Sequence, residues 1–385
     1  MKALVISLAM LMALCANASQ ADSLAVAIAR ANPALKAAEA AYEEMLENSR
    51  QENILQGPEA DFDYKFGPGK DRRRGLTVAQ SFDWPGLYSA RGNENSYRAE
   101  AYAMLLQADK AETLYKAKDA IASLVEAEEN AATLNNALEN ALLLLDIYER
   151  NLERGETTIL EVNKLRLQTL ALENRAEQAN SLAKSRRLQL SAMAPGVELP
   201  ERIVGSLPDL DIAPVYTRAA EMPAAIARKK SLLAQAEVRT AKMQGLPSFK
   251  VGYVYDYEER SHFNGFTVGI SLPSWSRKHA VKAAEAAVRA ASAEEEAMAS
   301  DNFATLNANI LEVHTLKKRL QRSAVIFEDS SYTDTLQKAL DAGKLSLLDY
   351  LREYNDYLEA KADYIALKAR YSSLVAWLTR YNYEY

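Results

Sequence analysis

The sequence predicts a mainly α-helical fold with a small β part, built from one unit that occurs twice. Three observations support this prediction. The 385 residues include only 14 glycines and 11 prolines, so tight turns are few and long helices are favoured. Several segments recur at a nearly constant spacing along the chain. Two separate stretches alternate between apolar and polar residues, which is the pattern of β-strands that are buried on one side.

The composition argues against several classes of function. The chain carries 46 basic and 52 acidic residues, and this mildly acidic balance makes a poor nucleic-acid binder. Its single cysteine, Cys15, lies near the N-terminus, and its three histidines form no ligand-spaced motif. We therefore expect no catalytic residues, no metal site and no cofactor, and we expect that the protein is not an enzyme.

The N-terminus has the pattern of an export signal. Lys2 precedes an uncharged apolar run that ends at Leu14, and Ala16-Asn17-Ala18 fits the small-residue cleavage rule. This run is too short to span a bilayer, which takes about 20 residues. Leu14 directly before Cys15 does not suit lipid attachment, where a small residue is expected. Residues 1–21 are accordingly predicted to be a signal peptide.

The rest of the chain is a tandem repeat with an offset of 188 to 190 positions. The predicted first repeat covers residues 22–200 and the second covers 214–385, joined by a proline-containing connector at 201–213. Five matches in the same order define the offset: Ala31 to Ala34 with Glu221 to Ala224, Gly57-Pro58 with Leu246-Pro247, Leu76 to Phe82 with Phe266 to Leu272, Trp84 with Trp275, and Gly155 to Val162 with Gly343 to Tyr350.

Each repeat is predicted to hold a helix, a strand pair and a long helical hairpin. The strand pairs lie at about 60–83 and 248–273, where residues alternate between an apolar and a polar face. The apolar positions are Phe62, Tyr64, Phe66, Leu76, Val78, Phe82, Val251, Tyr253, Tyr255, Tyr257, Phe266, Val268, Ile270 and Leu272.

The helical hairpins are predicted over residues 87–192 and 277–382. No proline lies between Leu87 and Glu153, and at about 1.5 Å per residue such a helix is roughly 100 Å long. Apolar residues at steps of three and four predict coiled-coil seams in both hairpins. The seam positions are Ala131, Leu134, Leu138, Ala141, Leu145 and Tyr148, and then Leu351, Tyr354, Leu358, Ala362 and Ile365.

These features together resemble the TolC-like outer-membrane factor family of bacterial efflux and secretion channels. The resemblance covers Leu24 to about Tyr381. Its marks are the start Asn32-Pro33-Ala34-Leu35, the strand exit Ser81-Phe82-Asp83-Trp84-Pro85-Gly86, and two turns of the form Gly-x-x-[Thr/Ser]-[Ile/Leu]-Leu-[Glu/Asp]. The resemblance implies a homotrimer in which four strands per chain form a 12-strand outer-membrane β-barrel, continued by an α-helical coiled-coil tunnel in the periplasm.

The same resemblance implies a function and its partners. The protein would be a passive exit duct of a tripartite efflux or type I secretion system, with a periplasmic adaptor and an inner-membrane pump as partners. Two alternatives belong to other classes. A periplasmic adaptor also uses a coiled-coil hairpin, but one hairpin rather than two, and an exported coiled-coil structural protein would not need the strand pairs. The sequence does not indicate the cargo.

The two glycine turns are the candidate functional site. Gly155 and Gly343 each follow a long helix, and either is also explained as a simple helix C-cap. The resemblance places both turns, with Thr158 and Ser346, at the periplasmic tip where an adaptor docks. Glu161 and Asp349 occupy matching positions beyond the glycines and are the candidate gate.

The gate interpretation has a plain alternative and a testable consequence. Either acid is also explained as a residue that favours the helix N-terminus. In a trimer the two positions would bring six carboxylates together, and their repulsion would raise their pKa values unless Lys164 or Lys344 compensated.

Overall fold

The structure is a computed structural model that describes residues 20–66, 72–205, 207–208, 212–258, 261–272, 277–328 and 331–382. All but the last two residues of the predicted signal peptide, and the repeated Trp275, lie outside these ranges. Within them the predicted combination of long helices and two strand pairs is confirmed. The elements in chain order are α1 (20–31), α2 (Pro33–Glu52), β1 (Glu59–Phe66), β2 (Arg72–Phe82), α3 (Pro85–Glu153), α4 (Ile159–Met193), α5 (Ile212–Met243), β3 (Ser248–Glu258), β4 (Ser261–Ser271), α6 (Arg277–Phe327), α7 (Ser331–Asp341) and α8 (Leu347–Thr379).

The two repeats begin differently although their sequences match. Asn32 separates α1 from α2, because its side-chain oxygen accepts a hydrogen bond of 2.8 Å from the Ala34 amide. Pro33 then occupies the first helical position, where its missing N–H costs nothing. In the second repeat Met222 has no oxygen with which to cap a helix, and α5 continues through Pro223. The helix α5 begins at Ile212, two residues before the predicted boundary of that repeat.

The four strands form one antiparallel sheet in the order β1-β2-β3-β4. The central pairing joins the repeats, since β2 of the first repeat pairs with β3 of the second over ten residue pairs from Arg73–Glu258 to Phe82–Phe249. The register places the predicted apolar positions of all four strands on one face. For example, Val78 lies opposite Tyr253, which in turn lies opposite Phe266.

The apolar face of the sheet is exposed. Phe266 keeps 86% of its surface accessible and Val78 keeps 41% even though β2 is an inner strand. The opposite face is mainly polar, with Val254 and Phe263 as exceptions, and it carries two ion pairs, Arg73 with Asp256 at 2.9 Å and Lys250 with Glu59 at 2.7 Å. The division into two faces that the sequence predicts is therefore confirmed.

The long helix is continuous in the first repeat and divided in the second. Whereas α3 is unbroken over 69 residues, α6 ends at Phe327 and α7 starts at Ser331. Lys361 of α8 caps the C-terminal end of α6, because its ammonium group donates a hydrogen bond of 3.0 Å to the Phe327 carbonyl oxygen. A positive charge at this position also suits the negative end of a helix dipole.

The described chain separates into two compact units that each combine segments of both repeats. Of the described residues, unit 1 comprises those within 20–37, 109–219 and 304–382, and unit 2 comprises those within 38–108 and 220–303. The sheet belongs to unit 2. In unit 1 the predicted seams are packed, since Leu358 of α8 and Leu172 of α4 lie in one cluster with Ala137 and Ala141 of α3. None of the described helices is both long enough and apolar enough to cross a bilayer.

Candidate functional site at the helical turns

The first glycine turn closes α3 with a two-bond C-cap. Gly155 has φ of +75°, in the left-handed region that glycine adopts without strain. Its amide donates to the Leu152 carbonyl oxygen at 3.0 Å, and the Glu156 amide donates to the Asn151 carbonyl oxygen at 2.9 Å. These two bonds form a Schellman motif, which satisfies carbonyl groups that the helix end would leave unpaired.

The second glycine turn repeats this geometry at the end of α7. Gly343 has φ of +65°, and its amide donates to the Leu340 carbonyl oxygen at 2.9 Å. The Lys344 amide donates to the Ala339 carbonyl oxygen, also at 2.9 Å. The repeat detected in the sequence is thus a repeat of backbone conformation, and the simple C-cap explanation of both glycines is confirmed.

Substitution of either glycine by valine should destabilise its turn. A Cβ at Gly155 or Gly343 would meet no atom within 4 Å, so the cost is purely conformational. We expect about 1–2 kcal/mol for a β-carbon in the left-handed region, measured as a lower midpoint of chemical unfolding. Gly57→Val is the matched control, because Gly57 is equally open but has no positive φ. Equal losses in all three variants would contradict the conformational explanation.

The helix α4 begins with a capping box that uses one of the candidate gate acids. Thr158 is the N-cap, and its hydroxyl oxygen accepts a hydrogen bond of 3.3 Å from the Glu161 amide. The Glu161 carboxylate in return accepts from the Thr158 amide at 3.0 Å and from the Thr157 hydroxyl at 2.6 Å. These hydrogen bonds, that from Thr157 above all, lower the pKa of Glu161.

The start of α8 is similar, but its acid has an additional partner. Ser346 is the N-cap, and its hydroxyl oxygen accepts from the Asp349 amide at 3.1 Å. The Ser346 hydroxyl also lies 2.7 Å from the Asp349 carboxylate, to which it donates. Arg352 forms an ion pair with this carboxylate at 3.3 Å. The basic neighbour of Asp349 is therefore Arg352 and not Lys344.

Both acids thus stabilise helix starts in the single chain. The explanation of these acids as helix-start residues is supported, because in the single chain local hydrogen-bond donors hold the Glu161 carboxylate in its charged form and lower its pKa. The raised pKa values expected in a trimer stay a prediction. The gate interpretation depends on copies that symmetry would bring together, and it stays a prediction. Within the described residues, no group of three or more acids and histidines is arranged to hold a metal ion.

The structure brings the two turns into one hydrophobic cluster in unit 1. The cluster combines Leu144 of α3, Leu165 of α4 and the α8 residues Leu347, Tyr350 and Leu351, all buried. Burial raises the pKa of Tyr350 to about 12. A hydrogen bond of 2.7 Å from the Gln168 amide to Asn355 adds a polar link between α4 and α8. The two hairpins therefore present their turns together, as one surface.

This surface includes apolar residues that the sequence reasoning did not select. The repeat matches Ile159 with Leu347, yet Ile159 is exposed and Leu347 is buried. The next matched pair, Leu160 and Leu348, is exposed in both turns. Their position in the sequence could have indicated them, because they follow an N-cap directly and lie outside the predicted seam. Exposed apolar residues mark a protein contact surface when they lie together as a patch.

The lowered pKa of Glu161 predicts a pH-dependent contribution to stability. A carboxylate whose pKa is lower in the folded state stabilises the fold above its unfolded pKa, and this contribution disappears as the pH falls through the folded pKa. Glu161→Gln should therefore destabilise the protein at pH 7 and converge with wild type in acid, measured by urea unfolding across a pH series. Glu156→Gln removes an exposed carboxylate at the same turn and serves as control. A destabilisation that is constant with pH would contradict the assignment.

Comparison with known proteins gives structural matches only. No protein-family model and no curated protein matches the sequence. Among solved structures, a membrane protein from Pseudomonas aeruginosa matches with a TM-score of 0.77 at 14% identity, covering 95% of this chain and 90% of that one. The Campylobacter jejuni CmeC outer membrane channel matches with a TM-score of 0.73 at 16% identity, over 95% and 85% of the two chains.

The chain has the fold of outer-membrane channels. The outer membrane protein VceC from Vibrio cholerae supports the same conclusion, with a TM-score of 0.71 at 16% identity and coverage of 94% and 96%. These matches extend over almost the whole chain, including the sheet and the helical hairpins. The resemblance to outer-membrane channels that the sequence predicts is thus confirmed for the fold.

Proposed function

We propose that the chain is one subunit of an outer-membrane exit duct, a passive conduit rather than an enzyme. Three copies would close a 12-strand barrel in the outer membrane, and the helices would form a periplasmic tunnel. The duct would work with a periplasmic adaptor and an inner-membrane pump in a tripartite efflux or type I secretion system. It would leave both the energy source and the choice of cargo to those partners.

The observation that carries the proposal is the exposed apolar face of the four-stranded sheet. Water-exposed sheets are polar on the solvent side, so a continuous row such as Val78, Tyr253 and Phe266 needs an apolar covering. The strands β2, β3 and β4 have 11 residues each, which reaches the length of about 9–11 that a tilted strand needs to cross a bilayer, and β1 with 8 residues is slightly shorter. Lipid on the apolar face and water on the polar face would account for the exposed apolar side chains and for the strand length.

The sheet edges favour assembly with other copies. The described strands β1 and β4 each pair on one side only, and a free edge exposes backbone groups that cannot remain unpaired in lipid. Pairing of β4 with β1 of the next copy would satisfy both edges and would close a ring. Four strands are too few for a barrel within one chain, because the smallest bacterial barrels have about eight.

The two turns are proposed as the docking and gating end of the duct. The exposed Ile159, Leu160 and Leu348 beside Gly155 and Gly343 offer apolar area for adaptor hairpins. Thr158 and Ser346 contribute by holding the helix starts in place, since their side chains are used as N-caps. Adaptor binding would then depend on the shape of the turns more than on these hydroxyl groups.

Glu161 and Asp349 are proposed as an acidic constriction at the same end. Three copies of each would favour cations in a closed pore. The test is single-channel conductance in a planar bilayer, comparing wild type with Glu161→Ala plus Asp349→Ala. Lower cation selectivity and weaker block by divalent cations are expected. Since both acids also support helix starts, Thr158→Ala plus Ser346→Ala is the matched control: it weakens the same caps without removing charge.

The assembly is tested by native mass measurement of the purified protein in detergent together with membrane fractionation. Three chains per particle and resistance to salt extraction from the outer membrane are expected. A stable folded monomer, or release by salt, would contradict the duct and would favour an adaptor or a structural protein. An adaptor is already less favoured because the chain contains two hairpin turns, at Gly155 and Gly343, that share one cluster.

A further inference from the structure

Unit 1 contains a cavity of about 320 Å³ that none of the roles proposed above uses. It lies between α1, the middle of α3, the C-terminal part of α8 and the connector segment around Leu207. This volume is at the lower end of the range for sites that bind small molecules. Most of its wall is apolar, and Ile121, Val125 and Val375 contribute to it.

The charged residues of the cavity are paired with one exception. Lys118 forms an ion pair with Asp22 at 2.7 Å, and Lys368 forms one with Glu129 at 2.5 Å. Glu126 also lines the cavity, but within the described part of the chain it makes no hydrogen bond or ion pair. With three acids and two lysines, the lining has a net charge of −1, which is that of Glu126.

An unpaired carboxylate in an apolar wall is a costly arrangement unless something compensates it. Glu126 is half-buried, and withdrawing a charged group from water without a close partner disfavours its ionised form. Consistent with this, burial raises the pKa of Glu126, although Arg186 acts in the opposite direction. A cationic group inside the cavity would restore the ionised form of Glu126 and would supply the missing partner.

We propose that this cavity binds a small amphipathic cation, with an ammonium group at Glu126 and an apolar body against Ile121, Val125 and Val375. Within the described part of the chain, the one charge of the lining without an ion-pair partner is negative, so an anion of the same shape should bind more weakly than the cation. A neutral apolar molecule would fill the volume but would leave Glu126 unpaired. The proposal concerns unit 1 alone and does not depend on the proposed duct.

The test is isothermal titration calorimetry of the full-length protein in a non-ionic detergent. The probes are 2-(1-naphthyl)ethylammonium and 1-naphthylacetate, which share an aromatic body and differ in charge. We expect the cation to bind and the anion to bind at least about tenfold more weakly, the difference that a charge-assisted contact of about 1.5–3 kcal/mol implies. Equal affinities, or no binding of the cation, would overturn the proposal.

Two variants connect the binding to the cavity. Glu126→Gln should weaken binding of the cation at least about tenfold and should change binding of the anion little. Glu139→Gln, the same change at an exposed position of α3, should not affect the binding of either probe. Ala369→Phe places a ring in the cavity wall and should abolish binding of the cation. Cation binding that persists in both Glu126→Gln and Ala369→Phe would reject the site. If either variant fails to fold, as judged by circular dichroism, the other decides.

Discussion

Val78→Arg should prevent stable insertion of the protein into a membrane. Val78 lies on an inner strand between Ala60 and Tyr253, in the middle of the apolar face of the sheet. If that face contacts lipid, an arginine there costs about 2–4 kcal/mol per chain at the bilayer midplane. A trimer would contain three such arginines and would incur this free-energy cost three times, so almost no protein should stay inserted. The measurement is the fraction of protein that stays in the outer membrane after alkaline extraction.

The neighbouring residue provides a matched control for this experiment. Thr77 lies on the polar face, opposite Asp61, which can pair with an introduced arginine. Thr77→Arg should therefore insert like wild type, although the two positions are adjacent in sequence. Similar behaviour of Val78→Arg and Thr77→Arg would show that the apolar face does not meet lipid, and the duct proposal would fail with it.

Leu165→Ala should produce a large loss of stability in unit 1. Leu165 is fully buried in the cluster that unites the two glycine turns, between Leu144 of α3 and Leu347 of α8. Truncation of a buried leucine costs about 2–5 kcal/mol, because the surrounding side chains close the cavity only partly. We expect a clear decrease in the midpoint of thermal unfolding, followed by circular dichroism.

The same helix offers an exposed leucine for comparison. Leu167 has the same side chain two residues further on but is 70% exposed, so Leu167→Ala should change stability by less than about 0.5 kcal/mol. If Leu165→Ala were equally mild, the cluster would not be holding the turns together. Binding of the proposed adaptor to the two variants would separate the role of the buried cluster from that of the exposed surface. Leu165→Ala should weaken binding by disordering the turns, although it changes no exposed residue.

The strands were predictable because alternation has a direct physical cause. Successive side chains of a strand point to opposite faces, so Val251 and Tyr253 had to share a face once they belonged to one strand. The pairing of β2 with β3 was not predictable in the same way, since it joins residues far apart in sequence such as Val78 and Tyr253. The end of α6 at Phe327 was also missed, because its stabilising partner Lys361 lies in another helix.

The candidate site also combines features that follow from local sequence rules with features that do not. The positive φ of Gly155 and Gly343 follows from a local rule about helix ends, and it was anticipated. For Glu161 the converging charges of a trimer predict a raised pKa, whereas in one chain the hydrogen bonds of the helix start lower it. The spacing of Thr158 and Glu161 is itself the signature of a capping box, so the lowered pKa was available from the sequence.

The free edges of the sheet have a genetic consequence. In the proposed ring, each chain would pair its β1 with one neighbour and its β4 with the other, so every contact would be head-to-tail and each subunit would contribute to two contacts. A subunit with a blocked β4 edge, for instance through a proline at Val268, would enter a ring and leave it open. In a cell that makes equal amounts of both forms, random mixing into threes leaves about one eighth of the rings intact. Such an allele would therefore be dominant, although the normal gene is still expressed.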